Sequence, residues 1–269
     1  MIIQTHDGTF HADEVFACAI LTLIHPEAEI VRTRDTIEAD YVVDVGGKYD
    51  ESTGRYDHHQ RSFNARRDNG IDYASAGLVW KHHGKEMLRK LELSTDVFET
   101  IDKQIIERID QRDVGQVTSE SWEISSIISR MNSNWNEEGD NTTHFARALL
   151  MAQGILVDAA RRWHSSMMAE SKVAEAPSDG EVKWLSRWMP CDKSKLTEKW
   201  IAFPQYDQWR AIRTREDIAP PKYWCGLHGP DLIEKSGING AVFVHKAGFL
   251  MINETKEGLR EMIRWTGES

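Results

Sequence analysis

Residues 1–24, MIIQTHDGTFHADEVFACAILTLI, decide the fold. The opening MIIQT reads as a short buried strand, and HDGTFHAD as a polar, glycine-containing turn. In EVFACAILTLI the apolar residues Val15, Phe16, Ala19, Ile20 and Leu23 recur at helical spacing until Pro26 stops the run, with Asp13 suited to the helix N-terminus. Working outward, EIVRT (29–33) and YVVDVGG (41–47) read as strands, the second ending in two glycines. SAGLVWKHHGKEMLRKLEL (75–93) and DVFETIDKQIIERID (96–110) carry helical patterns, Thr95 being the expected cap of the second. This alternation predicts an α/β fold with a mainly parallel sheet flanked by helices. In such folds sites form beyond the carboxyl ends of the strands.

A long helix is expected from about Thr142 to Val173, interrupted only by Gly154, before APSDG (176–180) breaks it. Beyond it KWIAFP, QWRAIRT, GAVFVHK and GFLMIN read as short strands, and TKEGLREMIRW as a closing helix. The expected division is therefore a catalytic domain with its connecting helix over 1–175 and a smaller C-terminal α/β domain over 178–269. Ten tryptophans are many for this length, and core packing accounts for most of them.

With 269 residues and 40% hydrophobic side chains, the chain can build one large core or two ordinary ones. Its net charge of -10 excludes a surface coated in basic residues for long nucleic acid, so a polyanionic substrate would have to be met locally. No stretch approaches the roughly 18 uninterrupted apolar residues of a membrane span, and the N-terminus lacks a basic region followed by an apolar one. The expectation is a cytoplasmic protein with no membrane association, compatible with a homo-oligomer. Cys18, Cys191 and Cys225 form an odd, widely spaced set without a CxxC pair, which suggests neither a disulfide framework nor a zinc knuckle.

His6, His11 and Asp13 fall on one turn between a strand and a helix, and Asp44 ends the YVVDVGG strand at what should be the same rim of the sheet. Asp57-His58-His59 follows in RYDHHQRSF. Adjacent histidines point different ways, so one can bind metal while the other meets substrate, and the aspartate can orient an imidazole. Asp110 and Asp113, three apart in ERIDQRDVG, are both candidates for a further carboxylate. Imidazole and carboxylate ligands without thiolates suit Mn²⁺ first, with Mg²⁺, Fe²⁺ and Zn²⁺ as alternatives, and a bridging carboxylate suits two ions. Two ions can activate a water and offset phosphoryl charge, so no protein nucleophile is needed. Arg55, Arg61, Arg66 and Arg67 against Asp57 leave a local excess of three positive charges across residues 52–67, ready for phosphate. Singly, each histidine reads as a turn or core residue and Asp44 as a strand-end cap. Together, at strand ends and turns of one α/β unit, they read as a site. His82-His83 sit in a helical pattern without carboxylates nearby and read as helix surface or core.

HDGTFHADE, VRTRD, VVDVGG, RYDHHQRSF and ASAGL resemble, in order, the melanocyte proliferating gene family, a branch of the DHH phosphoesterase superfamily; the likeness runs on through RMNSNWN to GAVFVHKAGF. The resemblance implies a metal-dependent 3'-5' exonuclease on short single-stranded RNA or DNA, with a DHH catalytic domain and a smaller domain closing over the cleft. It implies His6, His11, Asp13, Asp44, His58 and Asp110 as metal ligands, Asp44 bridging, and His59, Asp57 and Arg61 as catalytic groups. Arg55, Arg61 and His245 fall to the substrate. Three departures stand out. Asp7 replaces the family's usual Asn; His11 replaces the aspartate of the superfamily's first motif, as is typical of this branch; and Met251-Ile252-Asn253 replaces a Gly-Gly-His that approaches substrate backbone. The alternatives are a small-molecule phosphoesterase or pyrophosphatase, and a metal-binding regulatory protein without turnover.

Overall fold

The computed structural model describes residues 1–117, 123–137 and 141–268. They group into two units, residues 1–164 and 165–269. The first contains β1 (Ile2–Thr5), α1 (Ala12–Ile24), β2 (Glu29–Arg32), β3 (Tyr41–Val43), β4 (Tyr49–Asp50), β5 (Arg55–Tyr56) and α2 (Ser75–Lys90). Then α3 (Phe98–Ile101) passes through a π-helical stretch, Asp102–Ile106, into α4 (Glu107–Asp113), followed by α5 (Ile124–Ser129) and α6 (Thr142–Glu175). The sheet order is β2-β1-β3-β5-β4; the first four strands are parallel, and only β4 runs antiparallel to its neighbour. The expected α/β class and mainly parallel first sheet are observed.

Chain geometry places the site. From β1 the chain crosses through α1 to β2 on one side, then returns to β3 on the other, so the strand order reverses between β1 and β3, where such sheets open a crevice. Register pairs Gln4 with Val42 and Val43 with Tyr56, so the residues that leave β1, β3 and β5, namely His6, Asp44 and Asp57, emerge side by side. Every residue of α1 except Leu23 is buried, including Asp13 and Glu14, which makes it a central helix rather than a surface one. It packs chiefly on α2, whose Trp80 stacks on Phe98 at a centroid distance of 5.0 Å. At the start of the 96–110 segment Ser94, not Thr95, is the cap: its Oγ accepts from the Asp96 amide at 3.2 Å while Thr95 is already inside the first turn.

The second unit contains β6 (Val182–Trp184), β7 (Trp200–Gln205), β8 (Gln208–Arg213), β9 (Ile218–Ala219), α7 (Gly229–Ser236), β10 (Ala241–Val244), β11 (Leu250–Asn253), α8 (Lys256–Arg264) and β12 (Gly267–Glu268). Its main sheet runs β10-β11-β8-β7-β6, antiparallel except for the β6–β7 pair. Trp200 and Trp224 are fully buried there. The division between units falls within α6, which continues through Gly154 to Glu175. Its last turns belong to the second unit because Val173 is buried against Leu185, Ile201 and Phe203. No helix among the described residues is long and apolar enough to cross a membrane.

Candidate metal centre

Asp44 stands at the centre. It leaves β3 with φ 56°, a left-handed conformation that a non-glycine residue adopts only when its surroundings hold it. Its Oδ1 accepts from Ser75 Oγ at 3.0 Å, at the head of α2, and lies 3.4 Å from both His58 Nε2 and His59 Nδ1. Its Oδ2 lies 3.4 Å from His6 Nε2. Burial alone would raise its pKa, but the His58 and His6 imidazoles hold the carboxyl well below the usual range. His6 Nε2 is also 3.1 Å from Glu14 Oε1, while its Nδ1 lies 2.8 Å from the Asp7 carbonyl, which fixes the ring. Burial pulls the His6 imidazole down, yet Asp44 and Glu14 outweigh it and push it up to about 10.

Asp13 completes the inner set. Both its carboxylate oxygens are buried without a hydrogen-bond partner among the described residues. Burial, then the charges of Asp44, Asp113 and Glu14, push it well above the ordinary carboxylate value. A buried carboxylate with no donor costs stability unless a cation or proton meets it, so this residue asks for an ion. His58 Nε2 also faces Asp113 Oδ2 at 3.3 Å. Ligand atoms within 4.8 Å of one another form four overlapping groups among the described residues: His6, His11 and Glu14; His11, Asp13 and Asp113; Asp13, Glu14 and Asp44; and Asp44, His58 and His59. Hard oxygen donors mixed with imidazole are the donor set of a divalent ion, and His11, Asp13, Glu14 and Asp44 each belong to two of the groups.

The adjacent histidines, both within reach of Asp44, differ in exposure. The side chain of His58 is 8% exposed and turned into the cluster; that of His59 is 63% exposed, with Nδ1 held by Asp57 Oδ1 at 2.8 Å. Asp57 is itself fixed by the Gly47 amide at 2.6 Å and the His59 amide at 3.0 Å. Burial pushes Asp57 up, but these donors win and lower it. The turn 7–11 is held from a distance: Asn132 donates to the Phe10 carbonyl and accepts from its amide, and Asn141 donates to the Gly8 carbonyl. That gives RMNSNWN a structural task.

Asp110 departs from its expected place. It is fully buried, but its carboxylate is taken by Arg67 Nη1 and by the Gly77 amide at 3.0 Å, and it belongs to none of the ligand groups. A Cβ at Gly77 would collide with Asp110, so helix α2 approaches closely there. Asp113, three residues on at the end of α4, faces the cluster instead. The basic residues also depart from expectation. Arg67 is buried between Asp102 and Asp110, Arg66 pairs with Asp72, and Arg55 donates to the carbonyls of Ala39, Asp40 and Gly54. Arg61 remains exposed. His245 lies in the second unit, its ring 4.1 Å from that of Phe249. Met251 lies within β11 and Asn253 ends it, both fully buried, Asn253 receiving the Thr255 amide and donating to the Asn239 carbonyl, so these side chains fill a core rather than a substrate space.

A cleft of about 660 Å³ opens on the cluster at His11, Asp13, Asp44, His59 and Asp113. The rest of its lining includes Ile109, Arg112, Ser125, Ser126, Ser129 and Arg130. Sequence reasoning missed this wall, and missed Glu14 and Ser75. Glu14 had a signal, since its carboxylate accepts from the His11 amide at 2.8 Å as the fourth residue of a capping box.

An α/β crevice carrying such a cluster is a candidate metal centre. Residues 2–266 match the family model MYG1_exonuc, described as "Uncharacterised protein family (UPF0160)", and the chain belongs to that family. It is 32% identical over 319 residues to "MYG1 exonuclease" of Mus musculus, covering 98% of this chain and 84% of that protein. It is 32% identical to "MYG1 exonuclease" of Homo sapiens, covering 98% and 85%. Against "MYG1 protein" of Chlamydia trachomatis it is 32% identical, covering 97% and 94%. No solved structure matches significantly.

Proposed function

We propose that this protein is a metal-dependent phosphodiester hydrolase of the DHH type, a 3'-5' exonuclease on short single-stranded RNA or DNA that uses two divalent ions, manganese by first preference. The observation that carries the reading is the unpartnered, buried Asp13 carboxylate inside a shell of His6, His11, Asp44, His58 and Asp113. The exonuclease names of the mammalian relatives support the substrate class. His6, His11, Asp13, Asp44, His58 and Asp113 would hold the ions, with Glu14 behind His6. When bound, the ions would supply an activated water at neutral pH and offset the charge on the phosphoryl oxygens.

The chain's own groups supply the rest. Asp57, fixed by two backbone amides, holds His59 Nδ1, so the outer ring nitrogen Nε2 is left for the reaction. The Asp57 hydrogen bond raises the His59 pKa, so the imidazolium can give its Nε2 proton to the departing oxygen. Ser75 Oγ donates to Asp44 Oδ1 and keeps the carboxylate aimed at the cluster. The test is elemental analysis of the purified protein together with incubation of end-labelled short oligoribonucleotides with Mn²⁺. Mononucleotides released from the 3' end, absent in Asp44→Asn, support the reading; a protein that takes up no divalent ion and cleaves nothing overturns it.

A further inference from the structure

Outside the metal cluster the cleft lining holds two apolar residues, Ala12 and Ile109, and otherwise only hydrogen-bond donors. Arg112 and Arg130 supply guanidinium groups, and Ser125, Ser126 and Ser129 supply hydroxyls. Arg112 precedes the cluster residue Asp113, so its position is tied to the metal centre by one peptide bond. Among the described residues Arg112 pairs with the Glu123 carboxylate, 4.0 Å from its Nε, a long contact. Glu123 is already served by the amides of Ser125 at 2.9 Å and Ser126 at 2.7 Å and by Ser126 Oγ at 2.7 Å. The Arg112 fork therefore keeps donors for another acceptor. Ser125 Oγ, on the same wall, is buried with no hydrogen-bond partner among the described residues. A planar bidentate donor, a second guanidinium and a hydroxyl lacking a partner match the tetrahedral oxygens of a phosphate.

We infer that Arg112, Arg130 and Ser125 form a phosphate subsite that holds the phosphodiester next to the one being cleaved, so the protein favours oligonucleotides over substrates with a single phosphate. The inference rests on the phosphodiesterase reading for its catalytic consequence and on the cleft geometry for its binding consequence. A second phosphate also occurs in inorganic pyrophosphate, but the lining runs from Arg112, beside Asp113 on α4, to Arg130 at the end of α5, which suits an oligonucleotide strand that continues past the reacting group.

The test compares full-length wild-type protein, Arg112→Gln, Arg130→Gln and Ser125→Ala, all loaded with Mn²⁺. The substrates are a short oligoribonucleotide, bis(4-nitrophenyl) phosphate and pyrophosphate. For the arginine variants the ratio of kcat/KM on the oligonucleotide to that on the single diester should fall about tenfold to 100-fold, mainly through KM. The slope of log kcat/KM against log salt should become shallower by roughly 0.7 for each lost contact. Ser125→Ala should lower the same ratio by a smaller factor. Equal losses on both substrates, or an unaltered salt slope, would overturn the subsite; so would a selective loss on pyrophosphate alone. If wild-type protein cleaves none of the three, the functional reading fails. The subsite is then judged by fluorescence anisotropy of a labelled oligonucleotide, where binding equal in wild type and Arg112→Gln would dismiss it.

Discussion

Helix α4 carries two acidic side chains into two buried clusters, and the clusters are solved in opposite ways. Asp110 and its neighbour Asp102 close on Arg67, whose guanidinium also lies 4.2 Å from the centre of the Tyr73 ring, so the fold provides the cation. Three residues later Asp113 joins Asp13, Asp44 and Glu14, and there the ion-pair contacts found among the described residues come from histidines alone. A fixed arginine makes a permanent structural joint, whereas titratable imidazoles around carboxylates leave the charge to be completed from outside. The source of the cation separates the architectural cluster from the candidate site, although both are acidic, and only the second opens on a cleft.

Breaking the architectural cluster should produce the largest effect. Arg67→Met would leave Asp102 and Asp110 without their cation and should cost about 3–5 kcal/mol. Urea unfolding monitored by circular dichroism measures it, and a loss under about 1 kcal/mol would mean that the two clusters do not differ as described. In the other cluster, Asp44→Asn should leave the fold in place while lowering kcat roughly 10³-fold, since the charge that organises both halves of the ligand set is gone. Retained turnover with retained metal would displace Asp44 from the centre.

Next comes the division between neighbours. His59→Ala should keep its metal and lose roughly 10²-fold in kcat, whereas His58→Ala should lose metal affinity, as their exposures of 63% and 8% and their different partners indicate. Equal metal content in the two variants would erase the distinction. The smallest effect is a proton count. The metal-free protein holds His6 protonated up to about 10, so its contribution to stability is full below the unfolded value near 6.5 and is lost as pH rises through about 10. An ion needs that ring neutral, so Mn²⁺ uptake at pH 7–8 should release protons, with His6 contributing one and the raised Asp13 able to add to it, and affinity should rise with pH. Titration calorimetry in two buffers of different ionisation enthalpy reads the proton directly; no buffer dependence would contradict it.

Much of the first unit was legible because local rules and tertiary structure agree there. The strand–turn–helix of residues 1–24 follows from apolar spacing and Pro26, and β-branched residues followed by paired glycines mark β3 and its end. His6, Asp44 and Asp57 each sit one residue past a strand, so the parallel register alone brings them abreast.

Choosing Asp113 over Asp110 needed the rotation of α4 against α2, which the close approach at Gly77 sets and no periodicity announces. Charge counting credited Arg55, Arg66 and Arg67 to a phosphate, but their partners are Asp72, Asp102, Asp110 and backbone carbonyls brought near by folding. Arg112 and Arg130, eighteen positions apart, meet only because α4 and α5 line one cleft. By itself the sequence determined which residue types lie at strand ends and turns, because that depends on short-range pattern. Only the tertiary structure decided which of those charges meet one another and which are left to meet a ligand, because burial and partnership arise between segments far apart in the chain.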